Sequence, residues 1–161
     1  MIQIQEFEAA YTESVIQLIL NIQQNEFGVP ITINDQQDLL TIESFYKKDN
    51  GNFWIALSDN KLIATIALID IGNGEGTLRK MFVDQNFRGQ QYGVAKLLLA
   101  TLFSWAAHHQ IHSIYLGTTE VLKASHRFYE KNNFLQIPKQ HLPVNFPLMQ
   151  VDTRFYKYVL V

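Results

Sequence analysis

Met81-Phe82-Val83-Asp84-Gln85-Asn86-Phe87-Arg88-Gly89-Gln90-Gln91-Tyr92-Gly93-Val94-Ala95-Lys96-Leu97-Leu98-Leu99 reads as a strand, a tight polar turn and a helix. The strand ends at Val83, and the helix begins near Gln91 to Val94 and runs towards His109. A turn of this kind leaves the first backbone N–H groups of the helix unpaired and pointing out of its end. The helix dipole adds partial positive charge there, and Arg88 a full one. Together they predict a binding site for phosphate. The same residues also suit an ordinary strand–turn–helix connection.

Working outward, the flanks supply strands and helices for a single domain over residues 1–161. Before the turn, Ile2, Ile4 and Phe7 alternate with polar residues as a short strand. Val15, Leu18, Ile19 and Ile22 fall at helical spacing behind Thr12 as N-cap, and Gly28-Val29-Pro30 stops that helix. Asn34 with Gln37 resembles a capping box and opens a helix whose apolar face is Leu39, Ile42, Phe45 and Tyr46; Asp49-Asn50-Gly51 closes it. Strands follow at Phe53 to Leu57, Lys61 to Ile71 and Thr77 to Val83, joined by a hairpin turn at Asp59-Asn60 and a flexible turn over Gly72-Asn73-Gly74-Glu75-Gly76.

After the turn, Val94, Leu97, Leu98, Leu102, Trp105 and Ala106 form one apolar helix face. Ser113 to Leu116 is a short strand. Thr118-Thr119 offers an N-cap for a further helix that Asn132-Asn133 closes, because Asn tolerates the left-handed conformation. Phe134 to Ile137 and Val151 to Val161 complete the set of strands. The order is βααβββαβαββ: an α/β fold with a mixed, mostly antiparallel sheet of about seven strands and helices on both faces.

Composition removes several function classes. Lys plus Arg is 13 and Asp plus Glu 15, a net charge of −2, so no broad attraction to nucleic acid or an anionic membrane is implied. There are no cysteines, which excludes disulfides, thiolate metal sites and a cysteine nucleophile. His108, His109, His112 and His141 lack metal-ligand spacing, and no metal is expected. Met1 to Glu6 does not read as a signal peptide, and no apolar run approaches the roughly 20 residues of a membrane span; the expected location is cytoplasmic. The turn is neither a Walker loop, since no Gly-Lys-Ser/Thr follows, nor a GxGxxG fingerprint.

Phe87 to Leu98 resembles the acyl-CoA pyrophosphate loop of the GNAT acetyltransferase superfamily, whose pattern is Gln/Arg-x-x-Gly-x-Gly/Ala. Arg88 fills the first position and Gly93 the last, and Gln91 stands where a middle Gly is usual. A second stretch, Ala124-Ser125-His126-Arg127-Phe128-Tyr129-Glu130-Lys131-Asn132-Asn133-Phe134, resembles the family's later motif, a helix ending in Tyr-Glu-Lys-x-Gly-Phe. Asn133 replaces the Gly, and Leu122 stands where many members carry a cofactor-contacting Asn. The resemblance spans nearly the whole chain.

The resemblance implies an N-acetyltransferase that moves the acetyl group of acetyl-CoA to a primary amine of a small molecule or peptide by direct attack on the thioester. The alternative it leaves open is a module of the same fold that binds acyl-CoA without turnover. Tyr129 matches the residue that protonates the departing thiolate in many members. Its pKa of about 10 lies close enough to the thiol value near 8.5 for proton sharing. Arg88, Gly89, Gln90, Gln91, Tyr92, Gly93 and Val94 would hold the pyrophosphate, and Ser125 would also contact the cofactor. A bulge in the preceding strand would free the N–H groups of Met81, Phe82 and Val83 for the pantetheine and the oxyanion. A base must also deprotonate the amine; by residue type Glu43, Glu75, Glu120 and His126 are candidates. His141 to Met149, apolar for a loop, suits the acceptor site, a homodimer contact or core packing equally.

Overall fold

The computed structural model describes residues 1–160. Seven strands form one sheet in the order β1-β2-β3-β4-β5-β7-β6. They are β1 Ile2–Glu6, β2 Asn52–Ser58, β3 Lys61–Gly72, β4 Glu75–Val83, β5 Ser113–Thr118, β6 Leu135–Ile137 and β7 Arg154–Val159. Every neighbouring pair is antiparallel except β4 and β5. That parallel pair is joined by the helix α3, Val94–His108, as a strand–helix–strand crossover requires. The remaining helices are α1 Thr12–Leu20, α2 Ile42–Tyr46 and α4 Lys123–Lys131.

Each sheet face carries its own core, which is why β2 and β3 read as nearly continuous apolar runs rather than alternating ones. On one face Ile63, Ile66, Leu68 and Leu78 pack against Leu98, Leu99 and Leu102 of α3 and Tyr129 of α4. On the other, Phe53, Ile55 and Ala67 pack against Val15 and Ile19 of α1 and Ile42 and Tyr46 of α2. A fully buried Leu or Ile contributes about 1.5–3 kcal/mol relative to exposure, so both faces are tied to the sheet. The first hairpin closes as expected, with Asp59 and Asn60 at φ 49° and 69°; the second is tighter than the expected flexible turn, closing on Asn73 and Gly74 alone at 58° and 71° with Glu75 and Gly76 already in β4. Such paired left-handed residues make the type I′ turn that matches strand twist.

Several local expectations need correction. The second helical segment is not one helix from Asn34; it is two 3₁₀ turns, Ile33–Asp35 and Gln37–Leu40, followed by the short α2. Its capping box is Thr32 with Asp35, not Asn34 with Gln37. Gln36 breaks the run because its side chain is drawn inside to bond Gln23 and Lys80. Tyr11, not Thr12, precedes α1. Thr118 remains in β5, and α4 begins only at Lys123. Leu97 on α3 is exposed and Leu99 is buried in its place. Asn133 does close α4 in the left-handed conformation, at φ 72°.

Candidate functional site

β4 and β5 do not remain paired. Their ladder covers only Glu75–Ser113, Gly76–Ile114 and Thr77–Tyr115; beyond it β5 continues to Thr118 beside β7, and β4 continues to Val83 beside β3. The divergence starts next to a bulge. Thr65 opposes Phe82 while Ala67 opposes Arg79, so β4 spends one residue more than β3 between those points. Lys80 sits there at φ 55°. A bulge bends its strand and breaks the alternation. As a result the consecutive cations Arg79 and Lys80 both turn away from the α3 core, while Leu78 and Met81 on either side pack into or against it.

The opened strands frame a cleft. Its lining includes Leu78 to Phe82 of β4, Leu116 to Thr118 of β5, Leu122, Ser125 and Tyr129 at and in α4, and Met149, Val151 and Asp152 before β7. Gln23, Val29 and Ile31 close one side. Gln23 belongs to a π-helical run, Asn21–Glu26, that continues α1; π segments are frequent at functional sites.

Of the predicted site residues, Met81, Phe82, Ser125 and Tyr129 line this cleft, whereas Val83 and the turn from Arg88 to Val94 are not part of its lining. Asp84 donates its N–H to Ile63 of β3. Alternation therefore turns the Phe82 N–H to β3 as well, and the Met81 and Val83 N–H groups towards the gap. Of the three expected amide donors, Phe82 is the exception; its side chain lines the cleft instead. Ser125 and Tyr129 share the opposite wall. The Tyr129 side chain is buried at 4% exposure. Burial, together with the neighbouring Tyr156, raises the hydroxyl well above its ordinary pKa, and no group among the described residues hydrogen-bonds it.

The turn before α3 places glycine where the backbone needs it. Gly89 lies at φ 108° and Gly93 at φ 64°, conformations costly for other residues. Tyr92 and Gly93 donate back to the Gly89 carbonyl at 3.2 and 3.3 Å. Gln90 and Gln91, and Val94 at the head of α3, carry N–H groups that take no backbone acceptor among the described residues. The Gln91 side chain folds onto Gly89, and a Cβ added at Gly89 would lie 2.7 Å from its Oε1. Tyr92 packs its ring against Phe87.

Arg88 departs from expectation. Its guanidinium forms a two-pronged ion pair with Glu26, Nη2 reaching Oε1 at 2.8 Å, and its Nε donates to the Val83 carbonyl at 2.8 Å. The free positive charge foreseen at the helix end is therefore neutralised, and Arg88 straps the turn to β4 and to the π-helical run. The anion-binding groups that remain are the backbone N–H groups and the α3 dipole.

The base candidates fare unequally. Glu43 is half exposed and pairs with Lys47 at 3.7 Å. Glu75 accepts from the Tyr115 hydroxyl at 3.3 Å. Glu120 is largely exposed, 3.9 Å from Arg154. His126 uses both ring nitrogens: Nδ1 faces an Arg154 guanidinium N–H at 2.8 Å, and Nε2 faces the Thr119 carbonyl at 2.8 Å. Nδ1 therefore accepts and Nε2 carries the proton, and the ring anchors the loop before α4. None of the four lines the cleft; Asp152 does. It was missed because the only sequence signal was an acid just ahead of the last strand, with nothing local to relate it to Tyr129. Its carboxylate accepts the Met149 N–H at 3.1 Å, and burial raises its pKa against the opposing pull of Arg79 and Lys80.

Behind the cleft lies a closed polar network. Lys80 Nζ donates to Gln36 Oε1 at 2.6 Å and lies 3.6 Å from Asp38; Tyr46 donates to the same carboxylate. Burial lowers Lys80 to a pKa of about 8 despite Asp38. Among the described residues, no group of His, Cys, Asp and Glu could hold a metal ion, and no helix is long and apolar enough to cross a membrane.

Comparisons with known proteins agree with this geometry. The chain superposes on an acetyltransferase of the GNAT family from Staphylococcus aureus Mu50 with a TM-score of 0.97 and 38% identity, covering 100% of both chains. It superposes on an acetyltransferase from Streptococcus agalactiae 2603 with a TM-score of 0.94 and 31% identity, covering 99% of this chain and 98% of that one. Among curated proteins it is 38% identical over 104 residues to N-acetylaspartate synthetase of Xenopus tropicalis; the match takes in 62% of this chain and only 37% of that protein. The chain thus spans little more than a third of the curated relative's length. The model of the Acetyltransferase (GNAT) family matches residues 16–134, which contain the split strands, the turn before α3 and all of α4, and the chain belongs to that family.

Proposed function

We propose that this protein is an acetyl-CoA-dependent N-acetyltransferase acting on a primary amine. The observation that carries the reading is the divergence of β4 from β5 with the Tyr129 hydroxyl on its wall. Met81 and Val83 supply N–H groups for the pantetheine and the developing oxyanion. Gly89, Gln90, Gln91, Tyr92, Gly93 and Val94 form the pyrophosphate turn, with Arg88 holding that turn in place, and Ser125 lies beside the thioester end. Acetyl-CoA fits such a site because the φ values of Gly89 and Gly93 let the backbone approach an anion. The N-acetylglutamate synthase of Neisseria gonorrhoeae, which shares the fold at 14% identity and a TM-score of 0.78, was solved with coenzyme A and N-acetylglutamate. The acceptor here is a small-molecule or peptide amine, and the setting is cytoplasmic. Val144 and Leu148, both exposed in the segment before β7, would serve a homodimer contact.

Tyr129 acts as the acid. Burial keeps it protonated but widens the gap to the thiol value near 8.5, so its proton passes to the departing sulfur only in concert with carbon–sulfur cleavage and with recovery of a proton from the attacking nitrogen. A thiol-release assay over a panel of amines tests the reading. We expect turnover with at least one amine, and Tyr129→Phe lowering kcat about 100-fold with KM for acetyl-CoA unchanged. Acetyl-CoA binding with no thiol released from any amine would instead establish a binding module. An unaltered kcat in Tyr129→Phe would remove the acid role.

A further inference from the structure

We propose that Asp152 and Arg79 receive the acceptor as a zwitterion, its ammonium on the Asp152 carboxylate and its own carboxylate on the Arg79 guanidinium, so that the acceptor is an α-amino acid and Asp152 is the proton acceptor. The inference rests on the acetyl-transfer reading and adds to it the acceptor class and the base.

Both residues line the cleft that holds Tyr129. Asp152 is held against the opened half of β5. A Cβ added at Gly117 would lie 2.7 Å from Asp152 Oδ2, so a glycine at that position gives the carboxylate its place. Among the described residues its one donor is the Met149 N–H, which leaves acceptor capacity free for an ammonium group. Arg79 is in the complementary condition. Its Nη2 donates to the Met149 sulfur at 2.9 Å, a weak acceptor, and among the described residues it forms no ion pair with a carboxylate. A substrate carboxylate replacing the thioether would gain a charge-assisted and potentially two-pronged bond. Lys80, the adjacent cation, is committed to Asp38 and Gln36 and is not free for the same task. The charged and titratable groups around Asp152 are Arg79 and Lys80 from β4 and Tyr129 from α4, with Asp38 behind Lys80.

The protons balance. The bound ammonium gives one proton to Asp152, which passes it to solvent. The neutral nitrogen then bonds to the thioester carbon and the carbon–sulfur bond breaks. The thiolate takes the Tyr129 proton, and the second nitrogen proton restores the phenol. The third stays on the amide. Products are the N-acetyl amino acid, the free thiol and one proton.

The test compares L-alanine with L-alaninamide, L-aspartate with its α-amide, and putrescine, in thiol release and in calorimetric titration of protein saturated with coenzyme A. On the wild type we expect the α-amino acids to exceed their amides at least tenfold in kcat/KM and to give binding heats that the amides do not. Arg79→Gln should remove that preference, and Asp152→Asn should lower kcat/KM about 100-fold and abolish the acidic limb of its pH profile, with KM for acetyl-CoA unchanged. Equal use of acid and amide by the wild type, a preference for putrescine, or Asp152→Asn within threefold of wild type would each overturn the proposal while the acetyl-transfer reading stands. No thiol release from any amine would remove that reading and this proposal together. The wild-type comparison decides the acceptor class even where a variant does not fold.

Discussion

Tyr129 shows how one side chain's surroundings fix its chemistry. An exposed tyrosine would begin to ionise near pH 10. Here burial disfavours the phenolate, so the folded-state pKa lies above that value. The acid form is the active one, and it persists as pH rises. We therefore expect kcat to show no alkaline decline up to about pH 10; a fall that Tyr129→Phe abolishes would contradict this. Thr77 bears on stability rather than on chemistry. Its hydroxyl is buried with no hydrogen-bond partner among the described residues, at the last pair before β4 and β5 diverge. An unpaired buried hydroxyl costs about 1–3 kcal/mol, and valine keeps the shape without the polar group. Thr77→Val should therefore raise stability by about 1 kcal/mol in urea denaturation.

At the scale of elements, the turn before α3 depends on the π-helical run that follows α1. Arg88 binds the Val83 carbonyl and Glu26, joining three segments at one guanidinium. If Arg88 works as this strap, removing either partner disturbs the turn. Arg88→Ala and Glu26→Gln should both raise KM for acetyl-CoA, by about tenfold for the loss of roughly 1.4 kcal/mol of positioning. A lower KM in Glu26→Gln would mean that Arg88 is a phosphate ligand held back by Glu26. The bulge in β4 has a titratable consequence. Lys80 falls from 10.5 unfolded to about 8 folded. Below pH 8 both states are protonated and the full cost of the buried ammonium is present; between pH 8 and 10.5 the unfolded chain binds more protons, so stability contributed at this site rises with pH. The wild type should gain stability relative to Lys80→Met across that window, by on the order of 3 kcal/mol at most, measured by denaturant unfolding at pH 7.5 and 10.

Over the whole molecule, two cores share one sheet, and the cleft lies where that sheet is split rather than on its edge. Binding there links α4 with the halves of β4 and β5 that lie beyond their short ladder, which ends at Thr77 and Tyr115. A ligand that binds only the folded chain at 100 times its Kd adds about 2.7 kcal/mol. For a domain of this size that corresponds to roughly 5–10 °C in Tm. Saturating acetyl-CoA should produce such a shift in thermal unfolding; no shift would count against the cleft as its site.

The sequence by itself determined the order of elements, because hydrophobic period, Asn-Gly turns and the apolar face of α3 are local signals. It also determined the turn at Gly89 to Gly93, where positive φ demands glycine, and Tyr129 as a residue of interest. It did not determine the route through Ile33 to Tyr46, where Gln36 leaves the helix for partners distant in the chain. The tertiary structure alone decided three things: that Arg88 meets Glu26, that the bulge at Lys80 turns two cations to one side, and that Asp152 lies with Tyr129 in one cleft. Each depends on electrostatic and hydrogen-bond partners far apart in sequence, and such partners are chosen by the sheet order and by the split between β4 and β5.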